Sequence, residues 1–88
     1  MAEPIRVLLV DDQSLVRSGF HMLIDSEDDM AVVGEASNGA EALEKLRTIE
    51  VDVALMDIRM PVMDGVETTR RIAASSLPTR VMILTTFD

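Results

Sequence analysis

Polar and apolar positions along this chain follow two alternating periods. Ile5-Arg6-Val7-Leu8-Leu9-Val10 is a short apolar run closed by two acids, the pattern of a strand buried on both faces. From Ser14 to about Asp25 the apolar residues Leu15, Val16, Phe20, Leu23 and Ile24 return at helical spacing, and Ser14 stands where an N-cap belongs. Met30 to Ala36 (MAVVGEA) predicts a second strand. Asn38, with Glu41 three residues later, has the spacing of a capping box. It opens a helix with Ala42, Leu43, Leu46 and Ile49 on its inner stripe. Val51 to Met56 predicts a third strand, ending at Asp57. Asp64 can cap a third helix running to about Ala74, which Ser75-Ser76-Leu77-Pro78 closes. Arg80 to Thr85 predicts a fourth strand.

The order βαβαβαβ calls for right-handed crossovers and an α/β fold built on a parallel, doubly wound sheet. In a flavodoxin-like order the first and third strands are neighbours where the strand order reverses. Ligands bind there, outside the carboxyl ends of the strands. Asp11, Asp12 and Asp57 would converge in that crevice, with Thr85 at the end of the fourth strand. Crowded carboxylates either rise in pKa or share a cation. Oxygen donors without His or Cys favour a hard ion, Mg²⁺ or Ca²⁺. A carboxylate beside such an ion can attack phosphorus and become an aspartyl-phosphate, with positioning and charge neutralisation supplying most of the catalysis. One aspartate at a strand end is more often a helix cap or a solvated loop acid. Three of them, with a threonine, at successive strand ends carry the functional reading.

Composition narrows the field. Eighty-eight residues make one small domain, and 48% hydrophobic content excludes a disordered tail. Aromatics are 2%, so the core must be aliphatic, from Val, Leu, Ile, Met and Ala. No apolar run approaches the roughly 20 residues that span a membrane, and MAEPIRVLLVDD is not a signal peptide. The absence of cysteine fits a cytoplasmic protein. Sixteen acids against eight bases leave a net charge of −8, which argues against nucleic-acid binding by this segment. His21, on the first helix, is expected to be a solvated or partly packed residue, and Arg70-Arg71 an exposed helix face.

Val10-Asp11-Asp12 after the first strand resembles the acidic pair of bacterial response-regulator receiver domains. Asp57-Ile58-Arg59-Met60-Pro61-Val62-Met63-Asp64-Gly65 is similar to the loop around that family's phosphorylated aspartate. Met82-Ile83-Leu84-Thr85-Thr86 resembles its threonine strand, and residues 14–43 resemble the NarL/LuxR-type subfamily. The resemblance covers essentially the whole chain.

It implies a CheY-like fold in which Asp57 accepts a phosphoryl group and Mg²⁺ is the metal. Asp12, Asp57 and the backbone carbonyl of Arg59 would be ligands, and Asp11 would act through water. Thr85 would hydrogen-bond the phosphoryl oxygen, while Arg59 and Phe87 would flank the site. The implied partner is a sensor histidine kinase, and the module would be a phosphorylation switch controlling transcription, not a turnover enzyme. A haloacid-dehalogenase-type phosphatase would want an acid two residues after the nucleophile, where Arg59 stands.

Against the family pattern, residues 1–88 correspond to the amino-terminal part of a receiver domain, truncated after the fourth strand. They lack the fifth strand, the last two helices, the lysine of that strand and an effector domain. Lys45, the only lysine, is on the second helix. The expected consequence is a bare fourth strand that self-associates or exchanges elements between copies. The alternative function is then a degenerate receiver that acts only as an interaction module.

Overall fold

A computed structural model describes residues 3–57 and 64–84. The elements, in order, are β1 (Ile5–Val10), α1 (Ser14–Asp25), β2 (Met30–Ala36), α2 (Gly39–Leu46), β3 (Val53–Asp57), α3 (Gly65–Ala74) and β4 (Arg80–Leu84). The strands form one parallel sheet in the order β2-β1-β3-β4. This is the expected CheY-like α/β architecture, and the order reverses between β1 and β3.

Strand pleating explains how one sheet feeds two cores. Along β1, Leu8 and Val10 point to one face and join Ala36, Ala42, Leu46, Val51, Ala54, Met56 and Ile72 beneath α2 and α3. Val7 and Leu9 point to the other face and join Ile24, Phe20, Met30, Val32 and Leu55 beneath α1. Helices therefore cover both faces, and β1 reads as a continuous apolar run because neither of its faces meets water. The β1–β2 register slips between Val7 and Leu8, leaving Val33 as the extra residue. Gly34 follows that bulge, where an added Cβ would lie 3.1 Å from the Ile49 side chain and 3.2 Å from Leu8.

The caps of α2 and α3 form as the sequence implies. Asn38 accepts a hydrogen bond from the Glu41 amide at 2.9 Å, and Asp64 accepts one from the Glu67 amide at 2.8 Å, each contributing about 1 kcal/mol. The Glu41 carboxylate takes the Ser37 hydroxyl at 2.9 Å. Three expectations need correction. Ser14 is the first helical residue of α1 and not its cap: Gln13 is at the cap and makes no side-chain cap bond. Val51 is buried ahead of β3, because Asp52 spends its amide and carboxylate on Arg6 before the ladder starts. Leu15 and Leu23, which share the helical spacing of α1, point to solvent, and its inner face is Val16, Arg17, Phe20, His21 and Ile24.

Among the described residues β4 is an edge strand. On it, Met82 is 55% and Ile83 36% exposed. No described helix is long and apolar enough to cross a membrane.

Candidate functional site

Adjacent strand ends build the site. Val10 pairs with Met56 across β1 and β3, so the next residue of each strand, Asp11 and Asp57, emerge side by side at the switch point. Asp57 is buried as the last residue of β3, Asp11 is buried just past β1, and Asp12 is exposed beside them. One carboxylate oxygen from each of Asp11, Asp12 and Asp57 lies within 4.8 Å of the others.

Local bonding holds Asp11 in this position. Its amide donates to the Ala36 carbonyl at 3.0 Å, extending the β1–β2 ladder by one step. Its Oδ1 accepts from the Gln13 amide at 2.9 Å, an Asx-type bond that turns the chain into α1. Burial pushes the Asp11 carboxyl upward in pKa, opposed by the Gln13 hydrogen bond; the neighbouring Asp57 and Asp12 charges push it further, and Arg17 pulls it down. Such a group is relieved either by a proton or by a cation. The donor set fits a cation: in an octahedral Mg²⁺ site, ligand oxygens sit about 3 to 4.2 Å apart, given bonds of about 2.1 Å. The donors are all oxygen, as a hard ion prefers, and their 4.8 Å limit is slightly wider than that shell.

Two groups lie beside the acids that the spacing of acidic residues did not reveal. Arg17 Nη1 donates to the Asp11 carbonyl at 2.5 Å, and its Nε to the Glu35 carboxylate at 3.1 Å. Glu35 also meets His21 Nδ1 at 2.8 Å, while His21 Nε2 meets Asp25 at 2.9 Å. Their available signal was the i, i+4, i+8 spacing of Arg17, His21 and Asp25, together with one acid in the otherwise apolar MAVVGEA strand. His21 is half-exposed and ion-paired, which refines its reading as partly packed.

Leu84 pairs with Asp57. The site residues Thr85 and Arg59 lie outside the described residues, as do Thr86 and Phe87. A concavity of about 700 Å³ lies on the opposite rim among Ile5, Arg47, Ile49, Leu77, Pro78 and Arg80, away from Asp11, Asp12 and Asp57. An ion site needs convergent oxygens and not volume, so the acidic cluster is the better candidate for chemistry.

Fold and site together define an α/β domain with an acidic cluster at its switch point, and comparison narrows the class. Residues 7–88 match the family model described as the response regulator receiver domain. The chain belongs to that family, and its relatives include transcription regulators of the NarL/LuxR type.

It is 45% identical over 83 residues to the transcriptional regulatory protein LnrK of Bacillus subtilis, a match covering 94% of this chain and 38% of that protein. The signal receiver domain of the putative response regulator NarL from Mycobacterium tuberculosis superposes with a TM-score of 0.92 at 40% identity, covering 99% of this chain and 70% of that one. The complex of the CheA3 P1 domain with CheY6 from R. sphaeroides gives a TM-score of 0.84 at 38% identity, covering 98% of this chain and 67% of that one. The chain thus spans under two-fifths of the length of the curated relatives of the LnrK type.

Proposed function

We propose that this chain is the phosphoacceptor module of a two-component system, with Asp57 as the acceptor. The observation that carries the reading is the convergence of Asp11, Asp12 and Asp57 oxygens within 4.8 Å at the switch point. Asp12, Asp57 and the Arg59 carbonyl would hold Mg²⁺, with Asp11 acting through water. When bound, Mg²⁺ supplies neutralisation of the phosphoryl oxygens. Asp57 offers a carboxylate oxygen that attacks phosphorus in line. The P–N bond of a phosphohistidine breaks, its electron pair stays on the imidazole nitrogen, and a proton joins that nitrogen. Water later cleaves the acyl phosphate, restoring the carboxylate and releasing inorganic phosphate. Thr85 would donate its hydroxyl to a phosphoryl oxygen. The chemistry is one phosphoryl group per chain, a switch and not turnover, in a cytoplasmic setting.

A sensor histidine kinase is the donor that this chemistry needs, and the CheY6 complex with the CheA3 P1 domain supports that partner class. In longer relatives of the LnrK kind, the output is transcription. Incubation with acetyl phosphate and Mg²⁺, followed by intact mass, tests the reading. One added phosphoryl group, absent in Asp57→Asn and absent with chelator, is the expected result. An unchanged mass, or a label that survives Asp57→Asn, overturns it.

A further inference from the structure

The β1–α1 turn carries two of the three acids, and only some of its hold on them comes from its own backbone. Arg17, one turn into α1, reaches back with Nη1 to the main-chain carbonyl of Asp11. The same guanidinium is anchored through Nε on Glu35, in β2 one residue before Ala36. Ala36 is itself the residue whose carbonyl takes the Asp11 amide at 3.0 Å. Asp11 is therefore gripped at both its amide and its carbonyl by one neighbouring strand, once directly and once through Arg17. Glu35 is held in turn by His21 at 2.8 Å, and the Arg17 side chain is only 18% exposed. A guanidinium suits this task because its rigid planar fork holds two acceptors in a fixed geometry, where an ammonium offers rotatable donors from a single point.

We propose that Arg17 is a positioning residue for the phosphoacceptor site, tying the Asp11–Asp12 turn to β2 through Glu35 so that the acids face Asp57 ready for the metal. This rests on the Mg²⁺ reading above. Arg17 acts through the backbone of Asp11 and touches neither the metal nor the phosphoryl group.

The sign of one effect separates positioning from mere proximity. Arg17 is a cation near a cation site. A bystander cation, once removed, would let Mg²⁺ bind more tightly, and exchange for lysine would leave binding unchanged. A positioning residue gives the reverse: Arg17→Ala and Arg17→Lys both weaken Mg²⁺, by about tenfold, the lower end of what contacts behind metal ligands deliver. Calorimetric titration of the whole chain with MgCl₂ reads this directly, and Glu35→Gln should weaken binding in the same direction by less. Tighter binding in Arg17→Ala, or unchanged binding in Arg17→Lys, overturns the proposal.

A metal-free arm keeps this separate from the Mg²⁺ reading. In apo protein, Arg17→Ala should shift the amide resonances of Asp11, Asp12 and Gln13 and cut the exchange protection of the Gln13 amide, which donates to Asp11 Oδ1. An undisturbed turn refutes the positioning role even if Mg²⁺ binds. A disturbed turn in a protein that never binds Mg²⁺ refutes only the metal reading.

Discussion

The two rims of the sheet treat their aspartates in opposite ways. At the amino ends, Asp52 accepts from the Arg6 amide at 2.8 Å and from the Arg6 guanidinium at 3.1 Å, while its own amide and carbonyl tie β1 and β4 into place. Glu50 adds a second carboxylate to the same guanidinium. Hydrogen bonds from Arg6 hold the Asp52 carboxyl below its ordinary pKa. At the carboxyl ends, Asp11 is held above its ordinary pKa by burial and by Asp57 and Asp12. Both aspartates flank β1, so the difference lies in partners and not in scaffold. One rim pairs its acids with a guanidinium. The other gathers three carboxylates within 4.8 Å of one another and holds Asp11 above its ordinary pKa, the mark of a candidate site.

Leu8→Ala should break both rims together. Leu8 is fully buried in the core beneath α2 and α3, and the loss should be about 3 kcal/mol by chemical denaturation. A loss confined to Mg²⁺ binding, with stability intact, would show that the rims do not share this core.

Asp11→Asn should separate them. A carboxyl whose folded pKa is raised costs stability once ionised, so at neutral pH its neutralisation should raise the metal-free melting temperature. The same change should shrink the further rise caused by Mg²⁺. Asp52→Asn should do the opposite. Its lowered pKa means stability present above the ordinary aspartate range and lost as pH falls through the folded value. The melting temperature should drop modestly at neutral pH while Mg²⁺ affinity stays constant, as calorimetry can check. A Mg²⁺ effect from Asp52→Asn as large as that from Asp11→Asn would collapse the distinction.

The smallest effect is a pH dependence in the pairs beside the acidic rim. Bonding to Glu35 raises the His21 pKa, and the Asp25 charge adds to it. His21 therefore adds stability that is complete below about pH 6.5 and fades as pH rises through the higher folded value. Bonding to His21 and Arg17 lowers Glu35, so its share is present above the ordinary glutamate range and fades as pH falls through the lowered value. Melting curves of wild type and His21→Gln should converge on going from about pH 6 to about pH 8. A constant gap would remove charge from the pairing.

Much of this architecture was legible in the residues because it depends on short-range pattern. Apolar runs and helical stripes placed all seven elements of the described residues, and Asn38 and Asp64 announced their helices. The ends of β1 and β3 showed where the acids would meet, since the switch point follows from strand order alone. What escaped depends on long-range partners. Asp52 pairs with Arg6 across 46 residues and delays the start of β3. Arg17 and Glu35, 18 residues apart, meet only after α1 packs on β2. Leu15 and Leu23 share the spacing of core residues, yet they lie outside the arc that α1 turns to the sheet.

The most direct test is titration of the wild-type chain with MgCl₂ beside Asp12→Asn, Asp57→Asn and Asp52→Asn. One site that disappears in the first two variants and persists unchanged in the third is the expected result. Binding retained in Asp12→Asn and Asp57→Asn, or lost equally in Asp52→Asn, would contradict a metal pocket at the carboxyl ends of β1 and β3.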